Sequence, residues 1–109
     1  MKNILIVKLS EAHGDIPKSQ EGIQERARGA WKRRIETTEN LNHMIVLNEQ
    51  KIIGEYTITN ATQVKENNQN RVVFDLTDAP QFFTGKSLDY PTSNVASDMD
   101  TKTFLSKLK

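Results

Sequence analysis

The chain has 109 residues, a net charge of +1 and no cysteine. That length supports one domain with a single core, and the lack of cysteine excludes disulfides and thiolate metal sites. The N-terminal apolar run, Ile-Leu-Ile-Val at positions 4–7, is too short for a signal-peptide core or a membrane span. These two observations lead us to expect a cytoplasmic protein that binds no membrane. His13 and His43 are the only histidines and do not by themselves make a zinc site, so we expect no metal and no cofactor.

The chain begins with the pattern of a buried strand followed by a helix. Residues 4–9 are apolar except for Lys8, and many are β-branched, which predicts a first strand. Residues 10–18 form a loop. Ser19 is a suitable N-cap for a helix in which acidic residues come early and arginines late. Gly29 should end or kink this helix, which would place Trp31 on the segment that leaves it.

Two β-rich runs follow and predict a hairpin. Residues 43–47 and 51–59 flank the polar turn 48–50. Simple alternation puts Ile52, Tyr56 and Ile58 on one face of the second run and Glu55, Thr57 and Thr59 on the other. Gly54, inside this run, indicates a bulge or a sharp bend.

The remaining residues give weaker patterns. We expect a polar connection at 65–70, a strand at 71–76, and a turn with a short strand at 82–88. Residues 89–100 are predicted to be irregular, and 101–109 to form a helix with Phe104, Leu105 and Leu108 on one side. The fold class is therefore α+β, in one domain over 1–109, with 89–109 as a weakly structured or helical extension.

A basic segment stands out between positions 26 and 34. It contains Arg26, Arg28, Lys32, Arg33 and Arg34 around Trp31, the only tryptophan, in a chain whose net charge is +1. Cations attract phosphates, and an indole offers a face on which an unstacked base can lie. The other interpretation is a solvated helix end, with cations paired to Glu21, Glu25 and Glu36 and the indole packed in the core.

Several segments together give the chain a resemblance to a known superfamily. They are the opening strand at 4–9, the segment Arg28-Gly-Ala-Trp-Lys-Arg33, the hairpin at 44–56, Val73-Phe-Asp-Leu76 and Phe83-Thr-Gly-Lys-Ser87. Over about residues 3–90 the chain resembles a PUA-like domain, the superfamily that includes the EVE, YTH and ASCH groups. The ASCH-type Gly-x-Lys-x-x-Glu-x-Arg signature is absent.

The resemblance implies a small curved β-sheet or pseudo-barrel that binds nucleic acid. Several EVE and YTH members accept a flipped or unpaired modified base between aromatic walls. Carried over to this chain, the walls would be Trp31 and Tyr56. The backbone clamps would be Arg28, Lys32, Arg33 and Arg34. Tyr56 also fits a core position with its hydroxyl near the surface.

Catalytic chemistry has little support in the sequence. Ser10, His13 and Asp15 are the residue types of a nucleophile, a base and an orienting acid, but side chains this close in one loop rarely reach that geometry. Gly85-Lys86-Ser87 lacks the upstream glycine of a phosphate-binding P-loop. We expect no enzyme. Ser10 instead becomes a candidate for flanking a ligand pocket.

The function predicted from the sequence is a module that binds RNA or DNA. The binding residues would be Arg26, Arg28, Lys32, Arg33 and Arg34, and an unpaired or modified base would lie near Ser10, Trp31 and Tyr56. The alternative is a protein-interaction module, an inhibitor or accessory subunit, that uses a hairpin edge or the terminal helix.

Overall fold

The fold is a five-stranded mixed sheet with one helix on each face. The computed structural model describes residues 2–10, 16–90 and 96–109. The strands are β1 (Ile4–Lys8), β2 (His43–Asn48), β3 (Lys51–Glu66), β4 (Gln69–Asp78) and β5 (Ala96–Met99). The helices are α1 (Gln20–Ala27) and α2 (Thr101–Lys107), and a single 3-10 turn covers Ile35–Thr38.

The strands lie in the order β4-β3-β2-β1-β5, so the sheet is open, with β4 and β5 at its edges. β1 and β2 are parallel, and Ile4 pairs with His43. The crossover between them contains α1, as a parallel connection requires. All other neighbours are antiparallel. The predicted α+β class is therefore confirmed, with the main helix after the first strand and a second helix at the C-terminal end.

Both faces of the sheet are covered, which explains the continuous apolar runs in β1 and β2. Leu5 and Val7 point to the face on which α1 packs through Ile23 and Ala27. Ile4 and Ile6 point to the opposite face. That face is covered by residues from α2 and from the segment before β5: Leu88, Tyr90 and Phe104.

A β-bulge lies where Gly54 predicted one. Val46 pairs with Gly54 and Leu47 with Ile52, so Ile53 is the extra residue in β3. A Cβ on Gly54 would lie 2.9 Å from the Tyr56 ring, so the ring covers the space that glycine leaves open. The extra residue also reverses the faces of β3. Ile52 therefore packs on the α2 side, and its predicted grouping with Tyr56 and Ile58 is wrong.

The helix ends follow the sequence signals. The Ser19 hydroxyl accepts the Gly22 N–H at 3.1 Å, as an N-cap does. α1 ends at Ala27, and Gly29 takes a φ of 105°, a conformation that costs glycine little. Asp100 caps α2 by accepting the Thr103 N–H at 2.7 Å. Hydrogen bonding from the Thr103 side chain and backbone lowers the pKa of the Asp100 carboxyl.

Two predictions for the C-terminal part are wrong. Residues 89–100 are predicted to be irregular, but Ala96–Met99 pair with β1 as an edge strand, and 91–95 lie outside the described residues. Leu105 is predicted to share one side of the last helix with Phe104 and Leu108, but it is half exposed, whereas Phe104 is buried and Leu108 packs against the same core cluster. Within the described ranges, neither helix has the length and apolar character needed to cross a membrane.

The turn between β2 and β3 offers a test of backbone strain. Glu49 and Gln50 have φ values of 51° and 67°, the pattern of a type I′ turn, in which glycine is preferred. Q50G should raise the free energy of unfolding by about 1 kcal/mol, because a left-handed non-glycine residue costs about that much. Urea denaturation measures the change.

N68G is the matched control for this test. Asn68 has a φ of 63° in the corresponding turn between β3 and β4, and asparagine tolerates this conformation better than glutamine. N68G should therefore raise the free energy of unfolding by less than Q50G does. A Q50G protein no more stable than the wild type would contradict the assignment of strain to this turn.

Candidate nucleic-acid interface

The basic segment, residues 26–34, lies beside both edges of the sheet. On the β4 side, Trp31 and Val72 exchange two backbone hydrogen bonds, at 2.9 and 2.8 Å, and the Phe74 N–H donates to the Arg28 carbonyl at 2.8 Å. On the β5 side, the Arg33 guanidinium bonds Asp98 at 2.7 Å. The segment therefore supplies partners to one edge strand and an ion pair to the other.

Trp31 lies on the segment that leaves α1, as predicted. Its ring is half-buried and packs against the core beneath α1. The indole Nε1–H donates to the Ala27 carbonyl at 2.8 Å, so its polar atom is already satisfied by the end of the helix. Gly29 allows this arrangement, since a Cβ there would lie 2.8 Å from the ring. A role for Trp31 in holding a base stays a prediction.

The other two base-pocket candidates lie in different surroundings. Tyr56 is 1% exposed, and its hydroxyl donates to the side-chain oxygen of Gln20 at 2.7 Å. Burial, with a smaller contribution from the Asp78 carboxylate, raises the pKa of Tyr56 to about 12, so the hydroxyl remains a donor at neutral pH. Such a ring presents no open face to a base. Its core position agrees with the alternative interpretation.

Ser10 is exposed at the end of β1, and its carbonyl accepts a hydrogen bond from the Arg26 guanidinium at 3.4 Å. His13 and Asp15, the other members of the predicted loop cluster, lie outside the described residues. Across the ranges that are described, no group of three or more metal-ligating side chains comes together.

The five predicted cations differ in what they already contact. Arg28 lies 3.6 Å from both Glu25 and Asp75, in a hollow that Glu21 also lines. That environment is net negative and disfavours a phosphate. Arg26 bonds the Ser10 carbonyl.

Arg33 is the most constrained of the five. Its guanidinium bonds the Thr37 hydroxyl at 3.0 Å and the Asp98 carboxylate at 2.7 Å, and its side chain is only 12% exposed. Lys32 and Arg34 are exposed, and neither has an ion pair with a described residue.

A hollow of about 530 Å³, here called the basic hollow, brings the exposed cations together. Its walls come from the N-terminus, the basic segment and β5: Lys2, Lys32, Arg33, Arg34, Thr37, Ala96, Ser97 and Asp98. Asp98 is the only acid among them, and Arg33 neutralises it. Lys2 is missing from the sequence-based site because its proximity depends on β1 pairing with β5, which the local pattern did not indicate.

A second hollow, here called the amide hollow, adjoins the basic hollow. It measures about 440 Å³ and is lined by Arg34, Glu36, Thr37, Gln63 and Asn70. Arg34 and Thr37 line both hollows, so the two surfaces are continuous. A third hollow measures about 480 Å³, and its described lining includes Glu36 and Glu39 but neither lysine nor arginine, which makes it unsuitable for a phosphate.

Glu55 is a buried carboxylate that sequence reasoning did not single out. It is fully buried, and its Oε2 accepts the backbone N–H groups of Phe83 and Thr84 at 2.9 and 3.1 Å. Its Oε1 has no partner in the described part of the chain. The Gln81 side chain also bonds the backbone N–H and carbonyl of Glu55. Glu55 therefore fixes the segment after β4.

His43 lies near this carboxylate. Burial lowers the pKa of His43, although the Glu55 carboxylate acts in the opposite direction.

Comparisons with known proteins give no name to this site. No family model matches the chain, and neither a curated protein nor a solved structure is significantly similar to it. Function is therefore inferred from the geometry and charges of the chain itself.

Replacing Glu55 tests its role as an anchor. E55A should lower the free energy of unfolding by about 2–3 kcal/mol, because the backbone N–H groups of the half-buried Phe83 and the exposed Thr84 would lose their shared acceptor. E66A, at an exposed position of the same strand, should change it by less than about 0.5 kcal/mol. Urea denaturation of both variants measures the difference, and equal midpoints would show that the buried carboxylate does not fix the segment.

Replacing Arg33 tests whether it is a structural cation. R33A should destabilise the fold by about 1–2 kcal/mol, because Asp98 would keep its charge in a partly buried position without a partner. The neighbouring K32A should be nearly neutral, since Lys32 is exposed. If urea unfolds both variants at the same concentration, the Arg33–Asp98 pair contributes no stability.

Proposed function

We propose that the chain is a nucleic-acid-binding module whose phosphate contacts come from Lys2, Lys32 and Arg34 at the basic hollow. The observation that carries the proposal is the convergence of these three side chains from two separate parts of the chain on one open surface. Asp98, the one acid among the described residues of that surface, is already paired with Arg33. Cations left without carboxylate partners are those that can displace counterions from a phosphate backbone.

The predicted PUA-like fold belongs to this proposal. Its basis is the order of elements, a strand, a helix with a basic end and then β-hairpins, together with the quoted motifs. In that superfamily, nucleic-acid binding is common. The base-binding part is proposed at a surface beside Arg34, since the Tyr56 ring is buried and the Trp31 ring packs on the core.

A protein-interaction module is the second candidate, and two exposed apolar side chains favour it. Phe82 is 73% exposed and Leu105 is 50% exposed. Their sequence neighbours Phe83 and Phe104 are in edge contact, with ring centroids 5.2 Å apart. The two exposed side chains therefore flank one aromatic pair, on a part of the molecule that contributes no cation to the basic hollow.

Charge removal at the basic hollow is the direct test. Fluorescence polarisation with labelled single-stranded oligonucleotides should give an affinity that falls steeply with salt. The triple variant K2A/K32A/R34A should weaken binding to every sequence and reduce the salt slope by about 2, since each single-strand phosphate contact contributes about 0.7.

The control K51A/K86A/K109A removes the same charge from another exposed surface, where Lys51 pairs with Ser87 and Lys109 bonds the Ser87 carbonyl. It should leave the salt slope unchanged. Equal losses of oligonucleotide affinity in the two triple variants would show that the interface is not at the basic hollow. Wild-type protein that binds no oligonucleotide at low salt would overturn the proposed function and favour the protein-interaction module.

A further inference from the structure

The outer part of the β3–β4 hairpin projects beyond the core as a two-stranded ribbon. The last buried residue of β3 is Ile58, and the first of β4 is Val72. Between them the strands stay paired up to Glu66 and Gln69, around a turn at Asn67 and Asn68. Most side chains of the ribbon are exposed, so they are available for contacts outside the fold.

One face of the ribbon carries amide side chains towards the basic segment. Gln63 pairs with Val72 and Lys65 with Asn70, so these four residues share a face, and Val72 continues that face into the core beneath α1. Gln63 and Asn70 are diagonal neighbours on this face. Both line the amide hollow, as Arg34 does.

These two amides have unused hydrogen-bonding capacity. Both residues are exposed, and neither side chain has a hydrogen bond to another described residue. The corresponding amide on the other face behaves differently, since the Gln69 Oε1 accepts a hydrogen bond from Arg71. Gln63 and Asn70 are therefore the ribbon amides that face a hollow and remain free to bind.

The composition of the amide hollow favours a base over a phosphate. An amide group offers a donor and an acceptor side by side, which matches the paired donor and acceptor on an adenine edge. Glu36, also in this hollow, repels a phosphate but can accept a hydrogen bond from an exocyclic amino group. Arg34 lies between the two hollows, where its guanidinium can hold a phosphate or stack on a base.

We propose that Gln63 and Asn70 read the edge of an unpaired base, with a preference for adenine, in a strand whose backbone is held at Arg34 and the basic hollow. This inference rests on the proposed function and adds to it a base preference. It places sequence discrimination on the ribbon and salt-dependent affinity on the lysines and Arg34. The two contributions can therefore be separated by mutation.

The experiment compares labelled dA10, dT10, dC10 and rA10 by fluorescence polarisation at two salt concentrations. Wild-type protein should bind the adenine strands more tightly than dT10, and the rA10 arm compares RNA with DNA. Q63A/N70A should reduce the preference for dA10 over dT10 by about 10-fold or more, since one good amide–adenine contact contributes about that much discrimination. Its salt slope should match the wild type, because no cation is lost.

Q69A is the matched control, since it removes an amide from the opposite face of the same ribbon. It should keep the base preference. Wild-type binding without a preference for adenine, an unchanged preference in Q63A/N70A, or an equal loss in Q69A would each overturn this inference while leaving the phosphate contacts intact. Binding of none of the four strands would instead remove the proposed function itself. Unchanged thermal midpoints of the variants would establish that the fold is retained.

Discussion

The whole arrangement depends on a parallel strand pair that must be buried on both faces. β1 and β2 carry apolar side chains in both directions, so each face needs its own covering layer. α1 provides one layer, and α2 with the segment before β5 provides the other. Since α1 lies in the crossover between the two strands, the chain has to return from α1 to β2 across the sheet. The basic segment is the first part of that return.

This placement explains why the basic segment has two physical roles. Its first half forms backbone hydrogen bonds with β4, and it positions Trp31 against the core. Its second half lies near β5, where Arg33 forms an ion pair with Asp98. The neighbouring Lys32 and Arg34 remain exposed. Adjacent cations of one basic run thus differ in whether their charge is already paired. A dense basic run in a sequence therefore overstates the charge that a ligand can use.

Local signals predicted most of the fold, and the failures have identifiable causes. The N-cap at Ser19, the left-handed Gly29 and the bulge near Gly54 all depend on residues close in sequence. β5 has the sequence Ala-Ser-Asp-Met, which carries no strand pattern, and it exists because its backbone pairs with β1. The extra residue Ile53 reverses the faces near the start of β3, so Ile52 does not share a face with Tyr56 and Ile58. The strand also continues to Glu66, beyond its predicted end at 59, and a second register shift lies between Ile58 and Asn60.

The sequence predicts the cations of the candidate site but not the side chains that lie beside them. The basic run locates Lys32 and Arg34 from sequence alone, but Lys2, Gln63 and Asn70 come near them only through sheet pairing. A polar connection is predicted at 65–70, because an exposed turn and an exposed strand share the same polar composition, but only Asn67 and Asn68 form the turn and Asn70 is paired in β4. Long-range register decides between these two interpretations.

The small number of available cations also limits what phosphate contacts alone can achieve. The net charge is +1, and at physiological ionic strength attraction between exposed charges is screened beyond about 8 Å. If the proposed function holds, three cations within one hollow would act over a short range and by themselves give weak, sequence-independent binding. Useful affinity for a particular strand then requires contacts that do not depend on charge. The amide hollow, continuous with the basic hollow through Arg34, lies where such contacts can form.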